Sequence, residues 1–448
     1  MGGTDLRQIS RGQWLALAAA LLGWMFDGFE QGVLGVVGRP ALIDVLHLKE
    51  EDRLAATASD RQVRQQAKER VDSQSGAWNS GLAASFLIGA ALGGWLFGWL
   101  GDRLGRVRGM VFSVLTYASF TGLCGLAQDP WQLAALRFLA SLGMGGEWAL
   151  GVALVMESWP QQMRPLLAGL IGAAANVGFL LTAVMVEGVR AIGVQVDAGG
   201  WRWVLGLCAL PALLTFFLRV FVPESEKWQQ AARTAPRPSL TAIFTPALRR
   251  HSILAATLSG IPLIVTWAGV AWMVPHWVDS LPKEAAWINA AAAQASSAVG
   301  AIFGALTGAL LAHYFGRRRT YFTLTAGSLL ICAYLFRGYF PSGTPAKADI
   351  GLLWVIGLTG FFTASFYGWL PLYLPELFPT RVRATGQGFG YNFGRIIAAA
   401  GALYMSHLLK NVFHGDYAQA GAVISLIYLA GLIVIWFAPE TRGQPLPE

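Results

Sequence analysis

Twelve long, uninterrupted apolar runs constrain the fold of this 448-residue chain more than any other feature. A helix needs about 20 apolar residues to cross roughly 30 Å of hydrocarbon. The runs that meet this length lie at 13–38, 77–100, 108–128, 131–156, 166–189, 202–222, 252–279, 286–313, 320–340, 350–374, 384–409 and 417–438. A membrane β-barrel would show alternating segments of about ten residues instead. The sequence therefore predicts an all-α integral membrane protein with twelve transmembrane helices in a lipid bilayer.

The low charge content supports this prediction. Only 13% of the residues are charged, about half of the ~25% that is typical of soluble domains. So few charges cannot cover the surface of a soluble protein of this size. Cys124, Cys208 and Cys332 each lie within an apolar run, which favours small core residues over a disulfide or a metal site. We expect no metal, no cofactor and no nucleic-acid partner, and we attribute the net charge of +8 to basic cytoplasmic loops.

The distribution of Lys and Arg predicts the orientation. Short segments on one side of the membrane hold most of these residues, and such segments are cytoplasmic as a rule. The rule places both termini in the cytoplasm, with the protein in the cell (inner) membrane. The outer loop 39–75 is polar and nearly neutral, as expected of a solvated cap or a docking surface for a partner. The Pro- and Arg-rich linker 223–250 separates an N-terminal half, 1–222, from a C-terminal half, 251–448.

Three pairs of motifs recur at equivalent places in the two halves. The pattern E-x-x-P-x-x-x-R-x-x-x-x-G begins at Glu157 and again 219 residues later at Glu376. A charged loop at 98–108 follows the second run, and a related loop follows the eighth run. The sixth and twelfth runs end in Pro-Glu-Ser and Pro-Glu-Thr. Repeats in this order indicate duplication of a six-helix unit, and hence two pseudo-symmetric halves.

These motifs carry a resemblance to a known family. The segment 98–108 resembles the G-x-L-x-D-R-x-G-R-R/K signature of the major facilitator superfamily. The other paired motifs resemble those of its sugar-porter and metabolite:proton-symporter branches. The resemblance implies two six-helix halves around a substrate site at the midplane, and transport by alternating access. It implies a transporter and no enzyme activity, and we expect a monomer to be the functional unit.

Charged residues at the cytoplasmic helix ends form a candidate gate. Ion pairs between helices that must separate would bias the equilibrium between two conformations; the alternative is that these charges only set the topology. His313 replaces Asp102 in the second copy of the loop, which weakens that half of the gate or makes it pH-dependent. The predicted gate residues are Asp102, Arg103, Arg106, Glu157, Arg164, His313, Arg317, Glu376 and Arg383.

Ionisable residues within the spans are candidates for proton coupling, because they are costly in a bilayer. Asp27 and Glu30 lie three residues apart, on one face of the first helix. Two nearby carboxyls resist simultaneous ionisation, so one can take up and release a proton; the alternative is that Arg residues neutralise both. The segment D-G-F-E resembles a D-G-[FY]-D element of aromatic-acid:proton symporters. Arg137 matches an arginine of the superfamily, with an acid of the first helix as its expected partner, and Glu147 completes the predicted group.

Arg395 is the only midspan cation of the C-terminal half. A guanidinium can hold a carboxylate through two hydrogen bonds, and the acid symporters carry an arginine in a similar G-R element. The sequence thus predicts that Arg395 binds an anionic substrate; the alternative is a structural pair with Glu376 or a helix carbonyl. The other predicted substrate-binding residues are Asn176, Trp272, Gln294, Tyr367, Trp369, Gln387, Tyr391 and Asn392.

The functional hypothesis is proton-coupled uptake of a small organic anion: a carboxylate, an aromatic acid or a sugar acid. A neutral sugar or polyol is the alternative, which the Pro-Glu-Ser and Pro-Glu-Thr ends favour. It would leave Arg395 without a counter-charge. Drug/proton antiport is a third possibility. An ATP-driven pump is disfavoured because the sequence has no G-x-x-x-x-G-K-[ST] motif.

Overall fold

Most of the described residues lie in helices. The computed structural model describes residues 9–193, 199–234, 236–340 and 346–448. The helices of the N-terminal half and the linker are α1 (Arg11–Val45), α2 (Lys49–Thr57), α3 (Arg61–Leu104), α4 (Arg106–Cys124), α5 (Pro130–Ser158), α6 (Arg164–Ala191), α7 (Trp201–Leu207), α8 (Ala209–Val220) and α9 (Glu226–Thr234). Those of the C-terminal half are α10 (Arg249–Ile264), α11 (Val274–Ser280), α12 (Ala290–Phe315), α13 (Arg317–Ala333), α14 (Ile350–Ala364), α15 (Phe366–Leu377), α16 (Arg383–Asn392), α17 (Gly394–Asn411), α18 (Tyr417–Ser425) and α19 (Tyr428–Val434).

These helices make up twelve spans, as the apolar runs predict. Within the described ranges, eight helical segments are long and apolar enough to cross a membrane. The other four spans are α1, α7 with α8, α13 with the π-helical turn that follows it, and α16 with α17. A second π-helical segment, Val265–Met273, joins α10 to α11 within the seventh span. The all-α, twelve-helix fold is thus confirmed.

Polar side chains cap the N-terminal ends of four spans, on the side of the molecule that is predicted to face outwards. The side chain of Asp129 accepts the backbone N–H of Gln132 at 2.9 Å at the start of α5. Asn289, Asp349 and Asp416 do the same for α12, α14 and α18. Each cap satisfies an N–H group that has no partner within its own helix. Each of these four helices therefore begins at a polar residue at the edge of the apolar segment.

The outer loop is largely helical, in keeping with the helical charge pattern of residues 50–72, and only the bounds of the adjoining spans differ from those predicted. We expected the first span to end at 38 and the second to begin at 77, but α1 continues to Val45 and α3 begins at Arg61. Most of 39–75 is therefore helical. Asp44 holds α1 to the segments around it through ion pairs with Lys49 and Arg202. Hydrophobic contacts between the end of α1 and the N-terminal part of α3 also hold this outer segment together. A hydropathy pattern misses such helical extensions because their residues are polar.

The two halves approach most closely where small residues face each other. A methyl group on Gly388 of α16 would overlap the carbonyl oxygen of Gly94 of α3, so neither helix could pack this closely with a larger residue. Helix α12 packs against α6 on the opposite side of the molecule. These two inter-half contacts leave a central space between the halves.

Candidate transport site

A cavity of about 250 Å³ lies between the two halves. Aromatic and neutral polar side chains from both halves form its walls, among them Trp24, Gln31, Asn176, Phe179, Trp267, Gln294, Tyr367 and Tyr391. No charged side chain of the described residues lines it. Its size and lining suit a small, partly apolar molecule with a few polar groups.

Four of the predicted substrate-binding residues line this cavity: Asn176, Gln294, Tyr367 and Tyr391. Asn392 lies on α16 beside Tyr391 but faces another way. Its amide donates to the carbonyl oxygens of Gly145 at 3.2 Å and Gly388 at 2.9 Å, at the crossing of the two halves.

Trp369 and Gln387, two further predicted binding residues, do not line this cavity. The indole N–H of Trp369 donates to the carbonyl oxygen of Arg317 at 3.0 Å, and its ring packs on Tyr373. Gln387 is fully buried away from the cavity lining. The side chain of Trp272 lies outside the described residues. A sequence shows that a polar or aromatic residue lies within a span, but the rotation of the helix decides which way it points.

Tyr391 forms an aromatic contact between the halves at the cavity wall. Its ring stacks on Trp148 of α5, with the ring centroids 3.9 Å apart and the planes 16° apart. Trp24 of α1 packs on it edge-on at 6.1 Å. Sequence reasoning did not select either tryptophan, because aromatic residues in spans are common and most of them only pack. Trp24 and Tyr391 line the cavity, and Trp148 packs against both of them.

Two buried ion pairs lie within the N-terminal half. Arg137 of α5 binds both carboxylate oxygens of Glu30, with Nη2 and Oε2 3.3 Å apart. Glu30 is thus the acid of the first helix that was expected to face Arg137. Glu147 pairs with Arg219 of α8. Sequence reasoning missed Arg219, although it lies inside the run 202–222, where a charge is itself a signal.

Asp27 is the acid of this cluster that has no such partner. It is completely buried, and neither carboxylate oxygen has a hydrogen-bond partner within the described part of the chain. Its electrostatic surroundings include Glu30, Glu147, Arg219 and Arg395. An unpaired buried carboxylate is costly as an anion. Asp27 and Glu30 lie on the same helix face, but Glu30 has an arginine partner and Asp27 has none among the described residues.

Arg395 of α17 lies next to the aromatic contact. Its guanidinium carbon is 5.7 Å from the ring centroid of Tyr391 and 5.9 Å from that of Phe86. Among the described residues, no carboxylate lies within ion-pair distance of it. Glu376, the alternative partner, pairs instead with Arg317 at 2.6 Å. Arg395 does not line the cavity itself but adjoins Tyr391, which does.

Most of the predicted gate residues meet at the ends of the two halves that the distribution of Lys and Arg predicts to be cytoplasmic, called the cytoplasmic ends below. Arg106, fully buried at the start of α4, binds Asp102 and lies 2.9 Å from Glu157. Glu157 also binds Arg383 of the C-terminal half at 2.7 Å. Asp102 accepts the N–H of Thr385 at 2.7 Å across the same interface. These contacts hold the cytoplasmic ends together in this conformation.

The C-terminal half repeats the contacts that lie within one half. Arg317 binds Glu376 with N–O distances of 2.9 and 2.6 Å, as Arg106 binds Glu157. The hydroxyl of Thr441 donates to Glu376, as that of Ser225 donates to Glu157. The duplication that the motifs indicate is therefore visible in the side-chain geometry.

The Pro-Glu-Ser and Pro-Glu-Thr ends also have a structural role. Glu224 accepts the N–H of Arg106 at 2.9 Å, and Glu440 accepts the N–H of Arg317 at 2.9 Å. Each carboxylate thus caps the helix that follows a charged loop. Burial raises the pKa of Glu224. In Glu440 burial acts in the same direction, but the N–H groups at the start of α13 outweigh it and lower the pKa.

Three predicted gate residues differ from the others. Arg103 is exposed, with its guanidinium 5.2 Å from the ring of Trp99, and it takes no part in the described network. Arg164 and His313 line a separate cavity of about 260 Å³ at the cytoplasmic interface. No ion pair between Arg164 and Glu376 is formed, although they correspond to the bonded pair Arg383 and Glu157.

The family model for sugar (and other) transporters matches residues 15–237 and 249–448. The chain belongs to this family, within the major facilitator superfamily. The chain is 31% identical over 393 residues to the inner membrane metabolite transport protein YgcS of Escherichia coli, covering 82% of this chain and 83% of that one. It is 29% identical to the cis,cis-muconate transport protein of Acinetobacter baylyi, covering 82% and 86%. The proton:xylose symporter XylE shares its fold, with a TM-score of 0.74, 18% identity and 97% coverage of both chains.

The transporter's cytoplasmic contacts lead to a prediction about Glu157. We expect Glu157→Gln to shift the protein towards a state that is open to the cytoplasm, because it leaves buried Arg106 and Arg383 without their shared carboxylate. Breaking a buried pair on one side costs about 3–5 kcal/mol, enough to change the ratio of closed to open molecules more than tenfold. Electron-spin distance measurements between labels at Arg103→Cys and Arg381→Cys, both exposed, would show the longer distance gaining population.

Glu376→Gln is the matched control for this experiment. It removes an equivalent buried carboxylate whose ion pair, with Arg317, stays within one half. Both variants should lose stability, but the distance distribution should change only for Glu157→Gln. An equal change in both, or in neither, would contradict the assignment of Glu157 to the gate. The three cysteines are buried and should not react with the label.

Proposed function

We propose that this transporter couples the movement of protons to the uptake of a small organic carboxylate. The observation that carries the proposal is the unpaired, buried Asp27, which lies within electrostatic reach of Arg395. Glu30 and Glu147 each have an arginine partner, so Asp27 is the acid suited to gain and lose a proton. The residues proposed for proton coupling are Asp27, Glu30, Arg137 and Glu147.

Competition for Arg395 supplies the coupling mechanism. Burial and the charge of Glu147 oppose the ionised form of Asp27, whereas the positive charges of Arg219 and, to a smaller extent, Arg395 favour it. A substrate carboxylate that binds the Arg395 guanidinium compensates its charge, so the ionised form of Asp27 becomes less favourable and takes up a proton. Linkage requires the reverse as well: protonation of Asp27 strengthens the binding of the anion. A fully loaded carrier then holds both, and the gate opens to the other side.

Tyr391 connects this mechanism to the cavity. The cavity wall is uncharged, and Tyr391 lies beside both the cavity and Arg395. A rotation of the Tyr391 side chain would admit a carboxylate to the guanidinium while the rest of the substrate stays among the aromatic rings. Because one chain supplies every residue of this arrangement, the proposed functional unit is a monomer.

The substrate class follows from the cavity and from one relative. The relative from Acinetobacter is named for cis,cis-muconate, a small flat dicarboxylate. Aromatic walls favour a planar acid of similar size, because flat apolar groups stack on them. The uncharged lining also favours the second candidate, a neutral sugar or polyol, whose hydroxyl groups could bond to Gln31, Asn176 and Gln294. We also propose the inner membrane as its location, with both termini cytoplasmic, from the distribution of Lys and Arg.

A competition panel in proteoliposomes with an imposed pH gradient tests this proposal. Muconate and benzoate should accumulate or compete, whereas benzamide, with the same ring and no charge, should not. A membrane potential of 100 mV contributes about 2.3 kcal/mol for each net charge that crosses the membrane. Symport of one proton with a monoanion moves no net charge, so the pH gradient alone should drive benzoate uptake. Preference for xylose or benzamide over the acids would favour the neutral-substrate alternative.

A further inference from the structure

The two cytoplasmic corners between the halves are not equivalent, although the duplication makes their positions correspond. At one corner Asp102 bonds the first turn of α16, and Glu157 binds Arg383 across the interface. At the other corner His313 stands in place of Asp102, and Arg164 lacks the corresponding bond to Glu376. The cavity of about 260 Å³ lies at this second corner.

This second cavity has an excess of positive charge. Arg164, Arg317 and Arg442 line it with His313, and Glu376 is the one acid among its described lining residues. Arg317 already neutralises Glu376. Arg164, which is buried, and Arg442, which is exposed to solvent, form no ion pair in the described structure.

Arg164 is the residue that points to a ligand. Only 9% of its surface is exposed, and its Nε atom has no hydrogen-bond partner within the described ranges. A buried guanidinium without an anion is costly. The charge of Arg164 also affects Lys227 on α9. Burial lowers the pKa of Lys227, and the positive charges of Arg164 and Arg383 lower it further. Glu376 and Glu157 offset part of the charge of Arg164, but this corner has His313 where the opposite corner has the carboxylate of Asp102.

We propose that this cavity binds a phosphate-type oxyanion, which bridges Arg164 of the N-terminal half to Arg442 and His313 of the C-terminal half. Side chains would supply most of the contacts, because Pro165 occupies the position that corresponds to Ala384 and has no N–H to donate. Guanidinium groups match the geometry of phosphate oxygens. The bound anion completes the second corner and stabilises the conformation in which the cytoplasmic ends are closed. A lipid headgroup and a free phosphate ion share this chemistry.

The spin-labelled pair Arg103→Cys/Arg381→Cys tests this without any transport. A ligand that binds only the closed state raises the closed-to-open ratio about tenfold at ten times its dissociation constant. If the anion is soluble, sodium phosphate in detergent should raise the closed-to-open ratio relative to sodium chloride of equal ionic strength. If the anion is a lipid headgroup, nanodiscs of phosphatidylglycerol should raise this ratio relative to nanodiscs of phosphatidylcholine, and inorganic phosphate should leave it unchanged. Either result supports the site.

Three variants connect the effect to the cavity. Arg164→Gln should abolish the response, whereas Arg319→Gln, which removes an exposed cytoplasmic arginine outside the cavity lining, should keep it. His313→Asp restores the acid of the other corner, so this variant should be closed without any anion and insensitive to phosphate and phosphatidylglycerol. The proposal is overturned if the parent protein does not respond to either anion. It is also overturned if Arg164→Gln responds as strongly as the parent, or if His313→Asp still responds. Since Asp27 and Arg395 are unaltered, these outcomes are independent of the proposed substrate and of proton coupling.

Discussion

Asp27→Asn is expected to abolish the accumulation of substrate against its gradient while exchange of substrate across the membrane continues. Asparagine has nearly the shape of aspartate but cannot gain or lose a proton, so the carrier would resemble the permanently protonated form. Because symport of one proton with a monoanion is electroneutral, the pH gradient supplies the driving force, about 1.4 kcal/mol or tenfold accumulation for each pH unit. Without coupling, the ratio of inside to outside concentration should fall to about one.

The measurement is a pair of assays on the same proteoliposomes. Uptake driven by an imposed pH gradient should disappear in Asp27→Asn, and counterflow of labelled against unlabelled substrate should keep its rate and lose its dependence on pH. Asp72→Asn is the matched control, since Asp72 is exposed on the outer part of α3. Retention of uphill uptake by Asp27→Asn, or equal loss of both activities, would rule out Asp27 as the coupling site.

Arg395→Gln is expected to weaken the binding of carboxylate substrates by about 10- to 100-fold. Hydrogen bonds to charged groups contribute about 1.5–3 kcal/mol, and each 1.4 kcal/mol is a factor of ten in affinity. The neutral side chain keeps some hydrogen-bonding capacity but loses the charge and the fork that matches a carboxylate. Binding of an uncharged analogue such as benzamide should change little, because it has no charge for the guanidinium to compensate.

Ligand-induced shifts of the thermal unfolding midpoint give these affinities without a transport assay. Arg337→Gln is the control, because Arg337 is an exposed arginine of the same half. Arg395→Lys refines the result: it keeps the charge but not the planar fork, so its affinity should lie between those of the parent and Arg395→Gln. Unchanged affinity for acids in Arg395→Gln would refute a carboxylate-binding role and favour a neutral substrate.

These expectations combine what the motifs indicate with what the contacts add. The sequence identified Asp27, Glu30, Arg137 and Glu147, because a charge within an apolar run is easy to detect. It did not divide them into pairs. Glu30 binds Arg137 and Glu147 binds Arg219, which leaves Asp27 without a hydrogen-bond partner among the described residues. That division depends on how α1, α5 and α8 are rotated against each other.

The gate shows the same limit. The duplicated motifs predicted two charged corners with a weakness at His313, and both corners are present. They could not show that, within the described ranges, the salt bridge between the halves lies at one corner and a cavity beside Arg164 at the other. The repeated motif is local to each half, whereas the contact between Glu157 and Arg383 depends on the position of one half relative to the other.

The sequence by itself determined the membrane environment, the twelve spans and the duplication, because hydrophobic length and repeated spacing are properties of the chain that do not depend on packing. Only the tertiary structure decided that Tyr391 and Tyr367 line the cavity while Trp369 does not, and that Arg395 has no carboxylate beside it among the described residues. In a span that is apolar on most sides, the hydropathy pattern does not fix the direction in which a helix faces. Close packing of small residues such as Gly94 against Gly388 fixes it instead.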